Sequence, residues 1–347
     1  MTPSPLPRMI SKPAKISEVA KYAGVSPGTV SNVLNHPHRV ATNTRRKVEE
    51  AIAKLSYVRN SPGRTLRSGN SDLTAMLLPA PSTEYITETF FGAEDEAAEF
   101  GLSMILLSFP EDLDRQRRSM RTLSEQYIGG VLVPPISFTG TSFLWWLRQR
   151  NIKWVSLAQL CTPYLSACSV STDDKAGGLE VGRHLLRNGH ERLLFLTDRT
   201  AQDEPQLTGL QQACREAGVD PDTTVQVIRL PHATAEEGER AACGVLASRV
   251  SAVSCLNDEL AMGLVNGLHQ QGVSVPHHIS VAGYGGRTTS STGWLTTTSP
   301  STYESGQAAM RLLHLELSES RHQHVQLQIP PRLLVGRSTS TVDSAES

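Results

Sequence analysis

The chain has 347 residues with 39% hydrophobic side chains, enough for a small domain and one or two larger domains with apolar cores. Its 33 Lys and Arg balance 34 Asp and Glu, so the chain as a whole is neither a polycation nor a polyanion. No stretch approaches the roughly 18 apolar residues of a membrane span, and residues 1–14 lack the apolar core of a signal peptide. The five cysteines form no CxxC pair, which favours a reducing, cytoplasmic setting.

Two short helices are predicted over residues 16–35, after a disordered arm at 1–14. The apolar residues of the first helix repeat at i, i+3, i+4 and i+7, which is the helical period. Gly24 ends this helix, and Ser26 with Pro27 begins the next. Two helices joined by a three-residue turn, the second with small and amide side chains outward, form a helix-turn-helix.

A third helix is predicted at about 42–55, and its apolar stripe closes a three-helix core. Residues 1–70 hold 12 Lys and Arg against 3 Asp and Glu, whereas the remainder holds 21 against 31. A basic head on an acidic body is the charge distribution of a protein that binds nucleic acid through the head.

Three segments carry a family resemblance: VAKYAGVSPGTVSNVLN, TRRKVEEAIAKLSYVRN and RTLRSG. Together they resemble the DNA-binding head of the lac-repressor (LacI) family of bacterial transcription regulators, and the similarity continues to about Thr339. The resemblance implies a helix-turn-helix head at 15–59, a hinge at 60–71, a body at 72–340 and a polar tail at 341–347.

In the family, the hinge becomes helical only on operator DNA. The resemblance places Leu66 at the position that wedges between base pairs in the minor groove. Gly63 stands where the family usually has Ala, so this hinge is expected to be less helical when free.

From Leu73 onward, apolar runs such as TAMLLPA, SMILLSF and GVLVPP alternate with helical patterns. This alternation predicts parallel sheets covered by helices on both faces, and the number of units predicts two doubly wound α/β lobes. The resemblance implies a periplasmic-binding-protein-like body, with lobe 1 at 72–169 and 297–323 and lobe 2 at 170–296 and 324–340. Ligands in such folds bind between the lobes, at the carboxyl ends of the strands.

The resemblance divides the DNA contacts of the head into two sets. The base-reading positions are Pro27, Gly28 and Asn32. The phosphate-contacting positions are Ser26, Thr29, Ser31, Asn35, Thr44 and Tyr57. Many relatives carry arginine where Asn32 stands; an asparagine matches adenine, so the half-site is expected to differ from theirs. The alternative role for Asn32 is an exposed polar residue on a helix.

The resemblance places Thr83, Tyr85, Gln206 and Asn257 at the effector pocket. Ala158, Gln206 and Gly285 stand where sugar-binding relatives carry charged side chains. Without these charges the pocket lacks the strongest hydrogen bonds, so we expect a less polar or differently shaped sugar, polyol or nucleoside-like metabolite, or a lost response. The alternative role for Asn257 is the cap of the helix that follows it.

The leading hypothesis is therefore a sequence-specific DNA-binding repressor that responds to a small metabolite. An activator or dual regulator is the alternative, and an enzyme or sugar-carrier body with an incidental basic head is the remote one. Nucleotide-binding and esterase motifs are absent, so neither an enzyme nor a cofactor is predicted. Three histidine pairs, His36–His38, His277–His278 and His322–His324, fall in predicted loops without a recognisable partner cluster, so no metal site is predicted.

A homodimer is predicted, because two heads bind a pseudo-palindromic double-stranded operator more tightly than one. The resemblance implies that helices around 84–100 and 255–270 contribute to its interface. After Arg337 the sequence STSTVDSAES has no leucine repeat, so no coiled coil is expected. Deletion of residues 338–347 is therefore predicted to change neither the mass in solution nor the DNA affinity.

Overall fold

The computed structural model describes residues 14–57, 71–79, 84–135, 140–159, 167–199, 205–286, 293–319 and 322–342, with the side chains of all but 35, 84, 85, 140 and 141. The chain divides into two compact units, Met1–Asn70 and Ser71–Ser347. The predicted wedge Leu66 and its neighbour Gly63 lie outside the described residues. None of the helices in the described part of the chain combines the length and the apolar character of a membrane span.

The head is the predicted three-helix unit. Its helices are α1 (Ile16–Ala23), α2 (Pro27–Asn35) and α3 (Thr42–Lys54), with a short 3₁₀ turn at Pro37–Arg39. Apolar side chains from all three helices form its buried core: Val19, Ala20, Val30, Val33, Val48 and Ala51. The short helices depend on this shared core, since isolated helices of this length are marginal in water.

The turn between α1 and α2 has the two local features that the sequence predicted. Gly24 has a φ of +69°, the left-handed conformation that ends a helix, and the Val25 N–H donates to Ala20 O at 3.0 Å. Ser26 Oγ accepts the N–H of Thr29 at 3.1 Å and so caps α2. These bonds set where α2 begins, and therefore which of its residues face outward.

The body alternates strands and helices. Its described strands are β1 (Leu73–Leu78), β2 (Ser103–Ser108), β3 (Gly130–Val133), β4 (Lys153–Ser156), β5 (Ser169–Thr172), β6 (Leu193–Asp198), β7 (Val225–Leu230), β8 (Ala252–Cys255), β9 (Ser280–Ala282), β10 (Thr297–Ser299), β11 (Gln326–Ile329) and β12 (Arg332–Leu334). Its described helices are α4 (Glu84–Glu99), α5 (Leu113–Glu125), α6 (Gly140–Gln149), α7 (Asp174–Arg187), α8 (Pro205–Glu216), α9 (Pro221–Thr224), α10 (Ala235–Ala247), α11 (Asp258–Gln270) and α12 (Thr302–Ser318).

Both lobes are doubly wound parallel sheets, which confirms the predicted fold class. The first sheet has the order β11-β5-β4-β3-β1-β2, and the second has the order β7-β6-β8-β9. Successive residues of β1 point to opposite faces: Ala75 and Leu77 belong to one apolar cluster and Met76 to another. Apolar cover on both faces explains why β3 and β8 are buried along their whole length.

The chain crosses between the lobes three times, and each crossing lies a few residues later than predicted. Residues 169–172 and 326–329 pair as neighbouring parallel strands of the first sheet, although the sequence assigned 324–340 to the second lobe. Residues 297–299 pair with β12 next to the second lobe, although they were assigned to the first. The reason is local packing, because Leu327 and Ile329 contact the apolar core of the first lobe.

The three crossings are bonded to one another. The N–H of Asp173 donates to Ile329 O at 2.9 Å, which joins the first crossing to the third. The hydroxyl of Ser301 donates to Pro330 O at 3.0 Å, which joins the second to the third. The two lobes are therefore connected through one hydrogen-bonded bundle of backbone segments.

Helices within each lobe approach each other backbone to backbone. A Cβ added at Gly178 on α7 would lie 2.0 Å from Gln206 O on α8, and one at Gly306 on α12 would lie 2.0 Å from Thr89 O on α4. Only glycine fits at such contacts, which fixes how the N-terminal turns of these helices sit relative to one another.

The segment after Arg337 packs in the second lobe as far as Val342, two residues beyond the predicted end of the body, since the Val342 N–H donates to Asn188 O at 2.8 Å. Ser338 is fully buried; its hydroxyl donates to Val281 O at 2.6 Å and accepts the N–H of Thr296 at 2.8 Å. The ring of His190 donates to Ser340 O at 3.1 Å, and burial lowers the pKa of His190, which favours its neutral form. Short polar side chains form hydrogen bonds here, although their sequence alone resembles that of a disordered tail.

Deletion of residues 338–347 is expected to lower the free energy of unfolding of the body by roughly 3 kcal/mol or more, because several buried groups lose their partners. Urea unfolding of the full-length chain measures this change. Deletion of 343–347 alone is the matched control and is expected to leave the midpoint unchanged. Equal midpoints for both truncated chains would show that the segment adds no stability.

Candidate nucleic-acid interface and effector cleft

Helix α2 presents an outward face of small and amide side chains. Pro27, Gly28 and Asn32 are all exposed, while Val30 and Val33 are buried in the core of the head. The three predicted base-reading positions therefore share the solvent side of one helix, as a recognition helix requires.

The predicted phosphate-contacting residues are more varied in exposure. The hydroxyls of Ser26 and Thr29 lie 2.9 Å apart, and Ser26 is exposed. Ser31 and Thr44 are half-buried, and Tyr57 packs against the core of the head. The backbone of Asn35 ends α2, but its side chain is outside the described set. Fixed hydroxyl donors of this kind suit phosphate contacts, which set register.

No packing constraint explains the missing side chain at Gly28. A Cβ there would meet only Ser26 Oγ, at an ordinary 3.7 Å. A larger side chain would therefore fit, so the packing of the head does not require glycine at this position.

The arginines at the start of α3 already have partners. Arg45 Nε lies 2.6 Å from Glu49 Oε1, and Arg46 Nη1 lies 3.3 Å from Glu50 Oε1. Exposed pairs of this spacing contribute little, so both guanidinium groups can exchange a carboxylate for a phosphate at small cost.

One exposed aromatic residue escaped the sequence analysis. Tyr22 on α1 is 53% exposed, beside the basic residue Lys21. Its position opposite the apolar stripe of α1 was the available signal, since an exposed aromatic ring in a small basic head is unusual.

In the body, the carboxyl edge of the second sheet faces the first lobe, because α7 begins at the first crossing and helices between parallel strands begin at that edge. Asn257 lies there, directly after β8. Its Oδ1 accepts the N–H of Leu260 at 2.7 Å, and its Nδ2 donates to Ala233 O at 3.0 Å. Both ends of this amide therefore bind protein groups, which matches the helix-cap alternative.

Gln206 lies in the first turn of α8 at the same edge and differs from Asn257. The residue is 9% exposed, and its Oε1 accepts no hydrogen bond from any residue in the described part of the chain. A buried amide oxygen without a partner has a desolvation cost that a ligand hydroxyl or N–H would relieve.

Two hydrogen-bonded pairs complete this edge, one half-buried and one buried. The hydroxyl of Tyr284 donates to Asp174 Oδ1 at 2.8 Å, and Thr297 Oγ1 donates to Asp258 Oδ1 at 2.5 Å. Burial raises the pKa of Asp174 and also that of Tyr284. Asp174 and Asp258 are thus each bound to a neighbouring hydroxyl, so neither carboxylate is left without a protein partner.

Backbone geometry explains one departure from the family pattern. Gly285 has a φ of +110°, where a side chain is strained, so an acidic residue would not fit this loop without a change of backbone. Of the other predicted liners, Thr83 and the side chain of Tyr85 lie outside the described residues.

We expect Asn257→Ala to destabilise the body by roughly 1–2 kcal/mol, because α11 loses its cap. Gln206→Met, which keeps the volume, is expected to leave stability unchanged or raise it, since the removed oxygen has no partner. Urea unfolding of both variants measures the difference. A larger loss for Gln206→Met than for Asn257→Ala would mean that Gln206 has the structural role.

The comparisons with known proteins agree with this architecture. Residues 15–60 match the family model of bacterial regulatory proteins of the lacI family, and residues 183–339 match that of the periplasmic binding protein-like domain. The chain is 29% identical over 311 residues to the HTH-type transcriptional regulator RegA of Clostridium saccharobutylicum, covering 86% of this chain and 91% of RegA.

The chain is also 28% identical over 342 residues to the HTH-type transcriptional repressor PurR of Mannheimia succiniciproducens, covering 95% of this chain and 99% of PurR. A crystal structure of the lac repressor dimer bound to operator and the anti-inducer ONPF shares the fold, with a TM-score of 0.69 at 22% identity over 95% of this chain and 100% of that chain. With its helix-turn-helix head, its two parallel-sheet lobes and these relatives, the chain belongs to the lacI family of bacterial regulatory proteins and is a DNA-binding transcriptional regulator.

Proposed function

We propose that the chain is a repressor whose affinity for a pseudo-palindromic operator is set by a small metabolite bound between its lobes. The DNA-binding part of this proposal rests on the outward face of α2, where Asn32 is exposed and Ser26 caps the helix. Repression is proposed because PurR, a relative over nearly its full length, is a repressor.

In the head, Pro27, Gly28 and Asn32 read bases, and the hydroxyls of Ser26 and Thr29 contact phosphates. Ser31, Asn35, Thr44 and Tyr57 are proposed as further phosphate contacts, and Leu66 as the minor-groove wedge. Asn32 prefers adenine because its amide matches the N7 acceptor and N6 donor of that base.

In the body, Gln206 contacts the effector directly, and its unpartnered Oε1 supports this assignment. Asn257 shapes the cleft by holding the start of α11 against Ala233. With Thr83 and Tyr85, these residues favour a neutral molecule with hydroxyl or amide groups, such as a sugar, polyol or nucleoside.

The active form is a homodimer that works in the bacterial cytoplasm, bound to the nucleoid when on its operator. Helix α4 and edge strand β2 of the first lobe carry exposed apolar side chains, with Phe91 at 55% and Leu106 at 41% exposure. Exposed apolar residues on an edge strand favour pairing with a second copy. The lobes need no catalytic group or cofactor for this role.

Asn32→Ala is expected to relax base preference at one position of each half-site by roughly 1–3 kcal/mol, because one amide–base contact is lost. Selection of bound sequences from a random DNA library, with binding titrations of the winners, measures the change. Asn43→Ala, an exposed asparagine on α3, is the matched control and is expected to keep the preference.

Arg45→Ala is expected to behave differently and weaken all sequences alike, with a shallower dependence of affinity on salt, because it removes a charge and no base contact. An unchanged ranking of sequences for Asn32→Ala would remove Asn32 from base reading. Failure of the unmodified chain to enrich any sequence would contradict the proposed function itself.

A further inference from the structure

Strand pairing brings together two distant segments at the amino edge of the first sheet. Strands β5 and β11 pair in parallel with Ser169 opposite Gln326, so the residues just before them lie side by side. The N–H of Val325 donates to Cys168 Sγ at 3.4 Å, and the N–H of Ser169 donates to Val325 O at 2.9 Å. The thiol of Cys168 therefore faces the segment that carries His322 and His324.

Helix α12 completes this group with Glu316, which lies near its C-terminal end. We name the four residues Cys168, Glu316, His322 and His324 the amino-edge cluster. One ligand atom from each of them lies within 4.8 Å of all the others. Among the residues that the structure describes, no other group of three or more His, Cys, Asp and Glu converges in this way.

The distances in the amino-edge cluster range from 2.9 to 3.9 Å, on either side of those between the ligands of one metal ion. Cys168 Sγ lies 3.3 Å from His322 Nε2 and 3.9 Å from His324 Nδ1. Glu316 Oε1 lies 3.2 Å from His322 Nε2 and 2.9 Å from His324 Nδ1. Around a tetrahedral zinc ion, with Zn–N of about 2.0–2.1 Å and Zn–S of about 2.3 Å, ligand atoms are separated by about 3.3–3.6 Å.

Glu316 supplies a second observation. The residue is 7% exposed, and its Oε1 is buried without a hydrogen-bond partner in the described chain, despite the two nearby imidazole nitrogens. Contacts that are short but not aligned as hydrogen bonds are expected where several donor atoms point at one central position. A buried carboxylate oxygen left in this state requires a cation or a proton.

We propose that the amino-edge cluster binds one zinc ion through Cys168, Glu316, His322 and His324. Thiolate, imidazole and carboxylate are the ligands that zinc takes in proteins, and four of them make a closed site. The bond from Val325 N–H to Cys168 Sγ orients the sulfur and stabilises its negative charge. The side chain of His324 is 37% exposed, which gives an ion a path from solvent.

The position of the site sets its physical effect. A zinc ion would join the end of α12 to the starts of β5 and β11. Leu317, next to Glu316, lies near the first residue of the body: a Cβ at Gly129 would be 3.5 Å from Leu317 Cδ2 and 3.3 Å from Ser71 O. The ion would thus fix the part of the first lobe where the chain enters from the head.

The test uses the full-length chain, stripped of metal by a chelator and then titrated with zinc chloride. We expect one zinc ion per chain by calorimetry and elemental analysis. A hundredfold excess of zinc over its dissociation constant is expected to raise the Tm by roughly 5–10 °C, because the ion binds only the folded site. Cobalt chloride in place of zinc is expected to give visible bands of a tetrahedral ion and a thiolate-to-cobalt charge-transfer band.

His324→Ala and Cys168→Ala are expected to lower zinc affinity at least tenfold and to remove the Tm shift, and Cys168→Ala is expected to remove the charge-transfer band. His324 is a safe variant for folding because it lies on the surface. His277→Ala and Cys243→Ser, which alter exposed residues outside the amino-edge cluster, are the matched controls and are expected to bind zinc as the unmodified chain does. Operator binding is measured separately, so failure of the zinc site leaves the proposed function untouched.

Three results would overturn the proposal. The first is no zinc binding by the metal-free chain. The second is binding that His324→Ala and Cys168→Ala leave unchanged, which would place zinc on other surface histidines. The third is a cobalt spectrum without the thiolate band. In that case, an ion pair between a protonated histidine and the carboxylate of Glu316 would explain the short contacts.

Discussion

The body depends on the hydrogen-bonded bundle where the chain passes between its lobes. Asp173 and Ser301 bind the third crossing at Ile329 and Pro330, so all three crossings are tied together at one level. The strands of the first sheet end at this level, and α7 begins there, so the groups that face the cleft are fixed relative to the bundle. In the proposed mechanism, a molecule that fills the cleft changes the relation of the lobes through these few residues, and the head senses that change through the first lobe.

The polar groups beside the bundle divide into those with protein partners and those without. Asn257 uses both ends of its amide to hold α11, and Asp174 is bound by the hydroxyl of Tyr284. Gln206 is different, because its buried oxygen accepts nothing from the described chain. On the proposed function, this division favours molecules that supply a donor to Gln206, since an unmade hydrogen bond is costly.

Local patterns predicted the parts of the fold that depend on neighbours in sequence. The glycine at 24 and the cap at 26 placed α1 and α2, and alternation of apolar runs predicted two parallel sheets. Features that depend on distant contacts were missed. Residues 341 and 342 were assigned to the polar tail although the Val342 N–H binds Asn188 O, and Cys168 is separated by 154 residues from His322. The third crossing was misplaced because the pairing of β11 with β5 leaves no signal in either segment alone.

The central claim is that a small molecule bound between the lobes changes the affinity of the head for its operator. The direct measurement is the operator dissociation constant of the full-length chain with and without each sugar, polyol or nucleoside that raises the Tm of the body. The account predicts that at least one such molecule shifts operator affinity tenfold or more, a coupling of about 1.4 kcal/mol, and that Gln206→Met removes the shift. Molecules that bind the body and leave operator affinity unchanged would contradict it.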